Sequence, residues 1–268
     1  MAVSRGTRLS LRALALAYLF VLVAVPLGLI LYRTFEHGLG AFWDQVTTPA
    51  SISAVQLSLA ILAIVVPLNV VFGLVTALAL ARGDFRGRGA LQAVVDLPFA
   101  VSPVVVGVAL VLLWGVRGWF GGLADAGFQV IFSLPGMVLA TIFVTLPFVV
   151  REVEPVLHEI GDEQEQAAAT LGARRWQTFW RITLPSIRWG LAYGVVLTIA
   201  RALGEFGAVL VVSGNVPGES QTLTLLVHSR YIDDHNVFGA YAASTVLMLM
   251  ALLALVLMTI LNRKREDA

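Results

Sequence analysis

Six long apolar runs dominate this chain, at residues 13–32, 54–81, 97–114, roughly 130–150, 191–212 and 239–261. A helix of about 20 apolar residues, rising 1.5 Å per residue, is what crosses a hydrocarbon core roughly 30 Å thick. With 58% hydrophobic and 13% charged residues, the 268-residue chain lies well outside the usage of soluble domains. The expected fold is therefore all-α, a polytopic membrane protein with six transmembrane helices. One transmembrane domain is expected over 1–268, with an extra N-terminal span at 13–32, core spans within 54–261 and one long polar segment at 151–188. The first run follows Arg5, Arg8 and Arg12, is longer than a signal-peptide core and has no clear A-x-A site after it, so it is expected to stay as an anchor.

Orientation follows from the arginines. Placing the N-terminus in the cytoplasm puts fourteen of the eighteen basic residues on that side: Arg5, Arg8, Arg12, Arg82, Arg86, Arg88, Arg151, Arg174, Arg175, Arg181, Arg188, Arg263, Lys264 and Arg265. Arg33, Arg117 and Arg230 fall outside and Arg201 falls within a run. The positive-inside rule then predicts two cytoplasmic termini.

The same census excludes several activities. The only lysine, Lys264, is followed by Arg265, so the chain has no P-loop, which needs Lys before Ser or Thr. With no cysteine there is no disulfide or thiolate site, and His37, His158, His228 and His235 are too scattered to form a metal site. No catalytic residue, metal, cofactor or nucleic-acid partner is expected.

Within the runs, Gly73, Ala77 and Ala81 form a stripe of small residues suited to close helix packing. Pro67 with Asn69 is expected to interrupt the second run, Pro98 and Pro103 flanking Ser102 the third, and Pro135-Gly136 and Pro147 the fourth. Backbone groups freed at membrane depth need protein or a wet cavity, so the breaks read either as a pathway or as plain kinks.

The polar segment is too charged for lipid. Ala167, Ala168 and Ala169 favour a helix with a thin face, and Gly172 permits an abrupt turn. Trp176, Phe179 and Trp180 make an apolar stripe at i, i+3 and i+4, and Pro185 is expected to close the segment before the next span. Such a helix suits a groove on another protein, or alternatively the lipid surface.

Gln166-Ala167-Ala168, then Gly172, then Ile182, Leu184 and Pro185 resemble the EAA loop of the permeases of ATP-binding-cassette (ABC) importers. Six positions agree in register, and Gln166 stands where that family usually has Glu, with Glu165 adjacent. The resemblance implies a type I importer permease of MetI-like architecture in the bacterial inner membrane. It also implies that 166–185, including Trp176, couples to a separate ATPase. The stretches 96–103 and 200–215 are similar to the sulfate/thiosulfate permeases in particular. That likeness implies a second related permease, an ATPase dimer and an external sulfate-binding protein as partners, in a complex working by alternating access. Molybdate and tungstate permeases share the loop and a Gly-Glu-Phe-Gly element, so they remain an alternative. A passive anion channel or an ion-coupled carrier is the competitor from another class, and it would not need such a loop.

Arg201 and Glu205 stand four apart, about 15 Å into the fifth run, where an unpaired charge costs at least about 2.5–3.5 kcal/mol. They are expected to face each other on one helix. Two readings stay open, a structural ion pair, and an arginine that offsets an oxyanion's charge in a translocation path.

Overall fold

The computed structural model describes residues 5–266, with the side chains of residue 7, residues 11–256 and residues 259–260. The side chains of Arg5, Arg8, Arg263, Lys264 and Arg265, counted above for orientation, lie outside the described residues. Among the described residues all regular structure is helical. In chain order the α-helices are α1 (Arg5–Leu19), α2 (Val25–Phe35), α3 (Gly38–Val46), α4 (Pro49–Arg82), α5 (Arg88–Ala100), α6 (Pro103–Trp114), α7 (Gly122–Asp125) and α8 (Leu134–Ile160). They continue as α9 (Glu163–Thr170), α10 (Arg175–Thr178), α11 (Leu184–Leu203), α12 (Gly207–Val212), α13 (Leu223–His228) and α14 (Val237–Glu266).

Five helical stretches are long and apolar enough to cross a membrane, and α5 with α6 makes a sixth if the bent pair counts as one span. Two π-helical turns keep stretches continuous across prolines. Leu184 N–H donates to Phe179 O, five residues back, just before Pro185, and Val25 N–H does the same to Phe20 O before Pro26. Each turn comes immediately before a residue that has no N–H to offer. Pro185 thus lies inside one helical path, Arg175–Leu203, rather than closing the polar segment. Pro67 likewise lies inside an unbroken α4, and Pro135 opens α8 instead of interrupting it.

The bundle is organised around α8. More than half of its apolar window, 56%, is buried, against 0% for Leu11–Phe35, which touches the rest of the bundle through α2 on α14. α4 runs parallel to α8, because Arg82 at the end of α4 bonds carbonyls at the end of α8. Their contact is close: a Cβ built on Gly73 would fall 2.7 Å from Val149 Cβ. On the other side α11 comes equally near, since a Cβ on Gly194 would fall 3.0 Å from Val149 Cα. Small residues permit such approach where no hydrophobic force drives helices together in lipid. Gly73 and Ala77 are buried in that contact, as the small-residue stripe predicted, and Ala81 is half-buried.

Three apolar clusters result, and two of them flank the region of interest. One gathers Ile61, Val65, Met137, Val144, Val209 and Val212, and the other Ala77, Leu80, Val95, Val150, Val153 and Ile187. Between them lies a polar layer, in which buried Asn69 donates to Thr145 Oγ1 at 2.6 Å and buried Thr198 donates to Gly194 O at 2.8 Å. The side of the bundle that carries residues 161–183 is called the loop side below. On the far side, buried Arg230 joins three elements by donating to Gly239 O, Gln45 O, Thr48 Oγ1 and Ser51 Oγ. Burial lowers its pKa and Asp234 acts in the opposite direction.

The Gly73–Val149 contact yields a stability expectation. Gly73→Ala should destabilise the detergent-solubilised protein by about 1–3 kcal/mol, because the neighbour it meets is a β-carbon that cannot swing aside. Gly40→Ala, whose new methyl meets nothing within 4 Å, should leave the thermal midpoint unchanged or raise it. Equal midpoints for the two variants would contradict the close α4–α8 approach.

Candidate functional site

The segment matched to the EAA loop forms a helix, a glycine turn and a second helix. α8 runs on to Ile160 and α11 begins at Leu184, so 161–183 lie between those two helices, with 175–183 leading without a break into α11. α9 ends in a Schellman motif, with Gly172 N–H bonded to Ala169 O and Ala173 N–H bonded to Ala168 O, each at 3.0 Å. Gly172 has φ +82°, a left-handed conformation that explains why glycine stands there. Beyond the turn Trp176, Phe179 and Trp180 cluster, with the two indoles 5.2 Å apart edge to face. Leu171 is 88%, Trp176 69% and Trp180 49% exposed, so an apolar ledge stands clear of the bundle. Gln166 and Ala167 are also exposed, whereas Ala168, Ile182 and Leu184 are half-buried and Pro185 is exposed in the first turn of α11.

The residue that ties this segment to the spans is Glu165 rather than Gln166. Glu165 Oε1 accepts from Thr183 Oγ1 at 2.8 Å, and Oε2 accepts from Arg82 Nε at 3.3 Å. The rest of the Arg82 guanidinium bonds Leu157 O at 2.9 Å and Gly161 O at 2.5 Å, which satisfies carbonyls at the end of α8. One arginine therefore joins α4, α8 and α9, and the carboxylate joins α9 to the π turn leading into α11. Arg82 entered the sequence reading only as one positive charge. Its position as the last residue of a long apolar helix, where cations favour the carbonyl end, is the signal that marks it.

The second region lies at the level of the polar layer. The third run is not one straight span: α5 ends at Ala100, α6 starts at Pro103, and the two are bent by 113°. Pro103 cannot donate an N–H and Ser102 is held extended before it, so the helix breaks there. Pro98 lies within α5. The residues from Pro98 to Pro103 line a cavity of about 480 Å³ together with Val144 and Phe148 of α8 and Arg201 of α11. The fold thus brings the predicted break and the predicted arginine into one cavity, and no residue of 161–183 lines it.

Arg201 and Glu205 do form an ion pair, with Nη1 to Oε2 at 2.7 Å, but not on one helical face. The fifth run of 191–212 is two helices, because α11 stops at Leu203 and Glu205 lies in the turn before α12. The carboxylate, 1% exposed, accepts from Ala208 N–H at 2.8 Å through Oε1 and so caps the first turn of α12. Arg201, 32% exposed, has no other polar partner among the described residues. Gly207 lets the start of α12 press on the start of α6, since a Cβ there would lie 3.3 Å from Pro103 Cβ. On the loop side of the cavity the rings of Phe99 and Phe148 meet edge to face at 5.7 Å, and one turn further Arg151 Nε donates to Asp96 Oδ1 at 2.9 Å. Neither phenylalanine carries a sequence signal, because their meeting depends on how α5 lies against α8. Among the described residues no group of His, Asp or Glu could hold a metal ion.

The family model for the inner membrane component of binding-protein-dependent transport systems matches residues 69–267. The chain belongs to that family. The permease is 51% identical over 94% of its length to the sulfate transport system permease protein CysW of Synechocystis sp., of which it covers 91%. It is 36% identical over 89% of its length to the sulfate transport system permease protein CysT of Synechococcus elongatus, covering 86% of that protein. Among solved structures it is similar to a bacterial alginate ABC transporter in complex with an alginate pentasaccharide-bound periplasmic protein. The TM-score there is 0.75 at 20% identity, over 97% of this permease and 94% of that chain, and this likeness shows the fold. A multi-pass inner-membrane permease of the ABC importer class, all-helical, is thus the identity of the chain.

The Arg82 node makes a local prediction. Arg82→Ala should speed hydrogen exchange of the α9 amides in the permease about tenfold, the effect of losing charge-assisted bonds worth about 1.4 kcal/mol. Arg86→Ala, an exposed neighbour, should change it little. Unchanged exchange in Arg82→Ala would mean that α9 is held by other contacts.

Proposed function

We propose that this permease moves sulfate or thiosulfate into the cell as one membrane subunit of an ABC importer, and that residues 166–182 dock on the ATPase that drives it. The observation that carries the docking is the exposed ledge of Leu171, Trp176 and Trp180 on a helix pair held rigidly at the loop side. Aromatic side chains left in water on a rigid support are what a partner's groove buries at a hot spot. Sulfate is favoured over molybdate by the likeness to proteins named for sulfate transport.

The chain itself performs no covalent chemistry in this reading. Its partners are a second permease of CysT type, two ATPase subunits and an external substrate-binding protein, with both termini of the chain in the cytoplasm. ATP can bias two conformations only if its subunit binds them with different affinity. The Arg82–Glu165–Thr183 node supplies a stiff connection for that bias, because movement of α9 pulls on α4, α8 and the start of α11 together.

Three outcomes test the reading. Reporter fusions after residues 88 and 165 should be cytoplasmic, and those after residues 45, 120 and 225 external; an inverted pair rejects the orientation. In proteoliposomes, labelled sulfate uptake should require the co-reconstituted ATPase and ATP. Uptake without them would support the channel or carrier instead. Trp176→Ala should weaken ATPase binding by about 2 kcal/mol, roughly 30-fold, while membrane insertion is retained. Undiminished binding would remove the ledge from the interface.

A further inference from the structure

We infer that Arg201 is the group that contacts the transported oxyanion within this subunit, in the cavity formed by the α5–α6 break. The inference rests on the proposed reading of the chain as an oxyanion permease and adds a site to it. A dianionic tetrahedral oxyanion leaving water at membrane depth needs a fixed cation and aligned donors. A guanidinium supplies both, with a planar fork matched to two oxygens and a charge that persists at any working pH.

The ion pair with Glu205 does not use up Arg201. Glu205 Oε1 is engaged by Ala208 N–H, so part of the carboxylate's charge is met by the first turn of α12. The contact of Arg201 Nη1 with Glu205 Oε2 at 2.7 Å lacks hydrogen-bond geometry, for that buried oxygen accepts no hydrogen bond. A purely structural arginine in a packed membrane protein has its donors satisfied, as Arg230 and Arg82 do here with three or four acceptors each. Arg201 differs from both: its side chain is 32% exposed and the residue lines a cavity of about 480 Å³. Glu205, 1% exposed and anchored by its cap, has the role of a positioning residue that fixes the guanidinium at the cavity wall. Ser102, exposed in the break, lines the same cavity, as do Phe99 and Phe148, whose rings meet edge to face. The site therefore has one cation and one hydroxyl among otherwise apolar side chains, a composition that attracts an anion without holding it tightly.

The absence of cysteine from the chain makes a direct test practical, because Ser102→Cys introduces its only thiol. In the assembled complex, an anionic methanethiosulfonate reagent should modify residue 102 about tenfold faster than a neutral one of similar size, read by mass spectrometry of this chain. Millimolar sulfate should slow the anionic reagent selectively. Adding Arg201→Gln should abolish the charge preference, and Arg201→Lys should keep most of it. In transport, the Arg201→Gln/Glu205→Gln double variant, recovered with its partners in normal yield, should import labelled sulfate at least about tenfold more slowly. Equal reactivity of the two reagents at residue 102, or near-native import by the assembled double variant, would overturn the inference. If Arg201→Gln does not assemble, the reagent ratio with Arg201 in place still decides. Failure of the wild-type complex to import any oxyanion would instead refute the transport reading, and the labelling ratio, which needs no transport, separates the two failures.

Discussion

The position of Val149 between two glycines underlies the helical assembly. Gly73 of α4 approaches it so closely that an added methyl would collide, and one on Gly194 of α11 would press tightly on its backbone. Gly190 repeats the pattern one turn away, where a Cβ would fall 2.9 Å from Glu152 O. Helices in lipid gain little from burying apolar surface against each other, so what holds them is van der Waals contact at short range, and that contact requires the missing side chains. α8 becomes the spine because both neighbours can reach its backbone, and the other elements take their places relative to that trio.

The polar layer is a consequence of where the trio is tight and where it opens. Towards the loop side, α4, α5, α8 and α11 close over a core from Ala77 to Ile187, and towards the far side α6 and α12 join α4 and α8 over another. Between these cores the chain breaks twice, at Ser102 and around Glu205, and both breaks lie against each other through Gly207 and Pro103. Broken helices leave backbone groups to be satisfied; the Glu205 carboxylate caps one, and the other break opens onto a cavity. The proposed anion contact at Arg201 uses this arrangement, which places a cation beside the helix break. The loop-side node is its mechanical counterpart, linking the proposed docking helix to the same spine through Arg82 and Glu165.

Local periodicity and side-chain transfer energy account for everything legible in the residues alone. The apolar runs predict helices because a helix satisfies its own backbone, and α4 and α14 each contain the whole of the run at 54–81 or 239–261. The pattern from Gln166 to Pro185 pointed to the family only through its resemblance to a known loop, and the glycine turn inside it is a local structure that the alanines and Gly172 allow. Tertiary structure alone decided the 113° bend at Ser102, the placement of Glu205 beyond the end of α11, and the meeting of Arg201 with the Pro98–Pro103 break. It also decided that Arg82 clasps Glu165, 83 positions away. These features depend on contacts between residues far apart in the chain. A proline reads alike whether a neighbouring helix lets the chain bend or carries it straight through, as Pro103 and Pro67 do here.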